Sequence, residues 1–158
     1  MRRRLVVIWA LVALPFWLTA ATGGPGGETI PVPGAAVGRL LPHAVYHPVY
    51  VVILIGAIVL LMRFRAATHS RSVRGVALAL VIAQAAAILG MAGEEISVLQ
   101  HGGLAAGKVV FKEPFHMASA FVTEPALLVS QVLVIVLTLV TIRATRAQER
   151  IARPPRTV

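Results

Sequence analysis

The sequence predicts an all-α fold: an integral membrane bundle of four transmembrane helices, or three if the N-terminal segment is cleaved, with both termini in the cytoplasm. Three observations predict it. Of the 158 residues, 58% are hydrophobic and 13% charged, about half the charged share of a typical soluble domain. The apolar residues gather in four runs, against the about 20 residues (roughly 17 at least) needed to cross a bilayer core. The Lys and Arg residues, fifteen in all, flank these runs unevenly, as topology signals do.

The first run, 5–21, "LVVIWALVALPFWLTAA", follows Arg2, Arg3 and Arg4. It is marginal for a span and is interrupted by Pro15. With the small residues around Ala20 and Ala21 it also fits a secretory signal peptide, and cleavage there would leave the other spans uninverted. Residues 22–43, rich in Gly and Pro, are expected to form an irregular outer loop. The second span, about 44–63, contains "PVYVVILIGAIVLLM", and Arg63, Arg65, Arg71 and Arg74 fill the link behind it.

The third span, about 74–101, carries Ala79, Ala83, Ala86, Ala87 and Gly90 at spacings of three and four. Small residues on one face let membrane helices approach closely. Continuing that face leads to Glu94, to Ser97 or Val98, and to His101, whereas Glu95 is turned about 100° away. Gly102 and Gly103 supply a stop. "LAAGKVVF" follows as a loop on the outer interface.

The fourth span, about 115–145, opens with Glu113 as a cap and Pro114 at the first helical position. Glu124 precedes Pro125, which is expected to restart or kink the helix. His116, Ala120, Thr123, Ser130, Thr138 and Thr141 form a loosely polar stripe. Residues 146–158 are a basic tail, with Pro154 and Pro155 unable to continue a helix. The whole chain, 1–158, forms one membrane domain.

Orientation follows from the basic residues. Arg2, Arg3, Arg4, Arg63, Arg65, Arg71, Arg74, Arg143, Arg146, Arg150, Arg153 and Arg156 fall on one side, and Arg39, Lys108 and Lys112 on the other. The positive-inside rule places the first group in the cytoplasm and makes the chain a multi-pass protein of a cell membrane. The bias toward Ala, Val and Arg is similar to that of small polytopic proteins of bacterial inner membranes. Basic residues that flank apolar runs do not form the basic face of a nucleic-acid-binding scaffold, so nucleic acid is not an expected partner. The expected partners are the lipid bilayer, other membrane subunits or further copies of the chain.

At about 1.5 Å per residue, a count outward from the cytoplasmic arginines brings Glu94, Glu124 and His43 to one outer layer, with His47 about one turn deeper. Glu28, Glu95, Glu113, His101 and His116 fall outside with them. Imidazole and carboxylate are ligand types for copper, iron or zinc. A metal site would draw on Glu94, His101, His116, His43 and His47, with Glu95, Glu113 or Glu124 as substitutes. "HAVYH" spaces His43 and His47 four apart, although Pro48 disfavours helix at His47. "EPFH" matches the Glu-x-x-His spacing of metal-bridged bundles, but no second copy occurs. Haem is disfavoured: two-histidine ligation requires histidines facing each other inside the bundle at similar depth, and His47 and His116 are only the least bad pair. The plainer alternative is interfacial anchoring, or a Glu–His hydrogen-bond cluster closing the outer end. Gln84 and Gln131 are expected to hydrogen-bond between helices.

Catalytic chemistry finds no complete set. The sequence contains no cysteine, no aspartate for a triad, no Gly-rich phosphate loop and no Gly-x-Ser-x-Gly elbow. The expected function is therefore a non-catalytic subunit or accessory factor of a membrane complex. The alternative is a metal or redox centre on the extracytoplasmic face.

Overall fold

The computed structural model describes residues 2–21, 47–102 and 112–152. Among these residues the chain is all-helical: α1 (Arg2–Ala21), α2 (His47–Ala67), α3 (Arg71–Gln100) and α4 (Pro114–Ala152). The Gly/Pro-rich segment with Glu28 and His43, the "LAAGKVVF" link and the end of the tail lie outside the described residues. The helices α2, α3 and α4 are each long and apolar enough to cross a membrane.

Local chemistry sets the helix ends. The Ser70 hydroxyl accepts from the Val73 N–H at 3.5 Å and opens α3. The α3 helix stops where Gly102 takes φ +97°, a conformation that side chains with a Cβ rarely adopt. At the start of α4 the Glu113 carboxylate accepts from the His116 N–H at 2.7 Å, and the Glu113 carbonyl accepts from the Met117 N–H at 3.0 Å. Glu113 thus caps a helix that begins with Pro114, whose missing N–H needs no partner in the first turn.

Two expectations are modified. Pro48 does not keep His47 out of α2, because a proline in the first turn has no preceding helical carbonyl to lose. Pro125 lies inside one continuous α4 of 39 residues. That length corresponds to roughly 58 Å at about 1.5 Å per residue, well beyond a bilayer core of about 30 Å. The helical arm therefore absorbs most of the segment expected to be tail, up to Ala152.

The helices alternate in direction. One buried cluster joins Ile8 and Val12 of α1, Leu61 and Phe64 of α2, Val73 and Leu80 of α3, and Leu137 of α4. A second joins Tyr50 and Leu54 to Ala87, Met91 and Leu127. The start of α1, the end of α2, the start of α3 and the end of α4 consequently share one end of the bundle, and bring the arginines of all four helices together. Glu94, Glu95, Glu113, His47, His101 and His116 gather at the opposite end.

The outward faces stay apolar. Val49, Val52, Ile55, Val59 and Met62 form an exposed stripe on α2, and Phe121, Leu128, Val132, Ile135 and Leu139 form one on α4. In water such faces would be a liability, whereas lipid tails solvate them without penalty.

Candidate functional site

The closest seam in the bundle is between α3 and α4, and glycine makes it. A Cβ added at Gly90 would lie 2.8 Å from the Thr123 nitrogen and 2.9 Å from the Ser119 carbonyl oxygen. One turn on, a Cβ at Gly93 would lie 3.0 Å from that of Ser119. The two backbones approach closely because α3 has no side chains there, the arrangement small residues permit in membrane helices.

The continuation of this glycine face carries Glu94 into the seam. Glu94 is only 5% exposed, and its Oε1 accepts from the Thr123 hydroxyl at 2.6 Å. The same hydroxyl lies 3.2 Å from the Ser119 carbonyl. His116, 4% exposed, places Nε2 at 3.9 Å from Glu94 Oε2, too long for a hydrogen bond but close for a buried pair. A carboxylate removed from water needs donors or a counter-charge nearby, and α4 provides the Thr123 donor and the His116 ring.

A second tier lies toward the helix ends. Ser97, fully buried, donates to Glu113 Oε2 at 3.0 Å, tying the end of α3 to the cap of α4. The Phe115 and His116 N–H groups, with the Ser97 hydroxyl, hold the Glu113 carboxyl below the usual carboxylate range. His101 Nδ1 contacts the Ser97 carbonyl at 2.8 Å, within its own helix. Nearer the bundle centre, Gln84 Nε2 donates to Ser130 Oγ at 2.5 Å, and Gln131 Nε2 donates to the Val12 carbonyl of α1 at 3.0 Å.

Of the residues singled out from the sequence, Glu94 and His116 are brought together. His47 lies on α2, with Nδ1 at 3.4 Å from Glu95 Oε1. Glu95, turned from the seam, thus faces a neighbouring helix. His101 points back onto Ser97, and Glu124 is exposed on α4. His43 lies outside the described residues. Among the described residues no three His or Glu side chains converge to hold a metal ion. Sequence reasoning missed Ser119, and it named Ser97 and Thr123 without their partners. A Ser/Thr repeat on α4 opposite a Gly/Ala repeat on α3 was the available signal. No protein-family model, curated protein or solved structure matches the chain.

Proposed function

We propose that the chain is a multi-pass protein of a bacterial inner membrane, crossing it four times with both termini in the cytoplasm. It acts there as a non-catalytic subunit or accessory factor of a membrane complex. One observation carries this reading: buried polar side chains of the α3–α4 seam pair with one another across the two helices. Glu94 meets Thr123, Gln84 meets Ser130, and Ser97 meets Glu113. Groups engaged in this way join helices. The gathering of arginines at one end supports the orientation, since a basic end is retained in the cytoplasm.

Extraction in mild detergent followed by sizing and protein identification tests the assembly. The expected particle is heavier than one 16.7 kDa chain and contains other membrane subunits or further copies. A lone monomer contradicts it. Gly26→Cys and Gly103→Cys are expected to label from outside and Ser70→Cys only after permeabilisation; the reverse pattern overturns the orientation.

A second reading rests on the approach of Glu94 to His116. These two side chains would be the core of a copper, iron or zinc centre and would need further ligands. Elemental analysis of the purified protein decides. Stoichiometric metal lost in Glu94→Gln and His116→Ala supports the centre, and metal-free protein that assembles normally retires it.

A further inference from the structure

At the arginine-rich end, far from the Glu94 cluster, a cleft of about 560 Å³ opens between the start of α1 and the end of α4. One wall is apolar: Leu5 and Val6 of α1, and Ile142 of α4. The other is polar: Thr141, Thr145, Arg146 and Gln148, with Glu149 at its edge. Val6 and Ile142 are 68% and 41% exposed, so the apolar wall continues onto the outer surface of the bundle.

Thr141 is the telling residue. Six residues of α4 carry a hydroxyl: Ser119, Ser130, Thr138 and Thr145 each bond the carbonyl one turn back, and Thr123 donates to Glu94. Thr141 does neither. It is 5% exposed, and its Oγ1 has no hydrogen-bond partner. A buried hydroxyl left unbonded costs free energy that a local carbonyl normally offsets. The residue lies along a cleft that also presents a guanidinium.

The surrounding charge selects the ligand. Arg3 and Arg4 on α1, and Arg143, Arg146 and Arg150 on α4, stand on the same two helix ends as the single Glu149. The first N–H groups of α1, which have no partner within the helix, face this end as well. A guanidinium pairs well with phosphate, and basic pockets between membrane helices suit phospholipid headgroups. The volume suits a headgroup with the first part of an acyl chain.

We propose that this cleft binds an anionic phospholipid. Arg146 holds the phosphate, Thr141 donates its hydroxyl to a phosphate or ester oxygen, and an acyl chain runs out over Leu5, Val6 and Ile142. Glu149 accepts from headgroup hydroxyls. Inorganic phosphate shares the charge but not the chain, so the two sources separate experimentally.

The full-length protein in mild detergent is melted with added phosphatidylglycerol, phosphatidylcholine or sodium phosphate. Phosphatidylglycerol is expected to raise Tm by several degrees, and the other two are not. Thr141→Val and Arg146→Gln are each expected to lose more than half of that rise. Arg74→Gln, which removes a charge on α3 outside the cleft, is expected to keep it. Without lipid, Thr141→Val is expected to be at least as stable as the parent, because its hydroxyl has no protein partner; a lost response is then not a lost fold. Equal stabilisation by phosphatidylcholine or by phosphate overturns the proposal. So does an undiminished response in both cleft variants, or an equal loss in Arg74→Gln.

Discussion

Replacing Gly90 by alanine should separate α3 from α4, and the structure sets the size of the effect. The new Cβ would lie 2.8 Å from the Thr123 nitrogen and 2.9 Å from the Ser119 carbonyl oxygen, where ordinary contact begins at 3.4 Å. Both are backbone atoms of a packed helix, so no rotamer change relieves the overlap; α4 must withdraw by about 0.5–0.6 Å. Overpacking of this kind typically costs about 1–3 kcal/mol. Withdrawal also stretches the 2.6 Å Thr123–Glu94 bond, where intramembrane hydrogen bonds average about 0.6 kcal/mol. Against this, alanine in place of a mid-helix glycine regains about 0.5–1 kcal/mol. The net expectation is a loss of about 0.5–3 kcal/mol. Reversible unfolding in mixed micelles measures it, with Gly75→Ala as the control. A Cβ at Gly75, on the same helix, meets nothing within 4 Å, so that variant should gain about 0.5–1 kcal/mol. The two substitutions are chemically identical and opposite in sign. Gly90→Ala as stable as the parent, or more so, refutes the close seam.

Glu113 should make the first turn of α4 acid-sensitive. Its carboxyl is held below the ordinary value of about 4.5 by the Phe115 N–H, then the His116 N–H and the Ser97 hydroxyl. A depressed folded-state pKa contributes stability that is complete above the ordinary value and lost as pH falls through the folded one. Hydrogen exchange at His116 should accelerate over that acid window in the parent and lose this pH dependence in Glu113→Gln; an unchanged profile in the variant rejects the cap. Gln84→Leu should cost little, about 0.6 kcal/mol or less, because Gln84 Oε1 has no partner to lose and Ser130 retains its bond to the Ala126 carbonyl at 2.7 Å. A loss above about 2 kcal/mol in micelle unfolding would show that Gln84 does more than join α3 to α4.

Much of the architecture was legible in the sequence because hydrophobic length and charge placement act locally. The helix stop at Gly102, the Glu113–Pro114 start of α4 and the small-residue face that turns Glu94 inward all follow from spacing alone. What was not legible depends on partners distant in sequence. That Thr123 meets Glu94 is fixed by the relative register of α3 and α4, which no single-helix pattern encodes. Pro125 shows the same limit: a proline after Glu124 reads as a break, yet packing on both sides carries α4 through it. The orphan hydroxyl of Thr141 was invisible for a further reason, since a threonine on a polar stripe looks the same whether or not it finds the carbonyl one turn back.

The central claim is that Glu94 serves to hold α3 against α4. The most direct measurement is the coupling energy between Glu94 and Thr123, from a cycle of parent, Glu94→Met, Thr123→Val and the double variant unfolded in mixed micelles. Each substitution nearly preserves shape, so the cycle isolates the buried pair. The expected coupling is favourable, about 0.6–1.7 kcal/mol, between the average and the maximum for hydrogen bonds between membrane helices. A coupling of zero, with each single variant as stable as the parent, would contradict it.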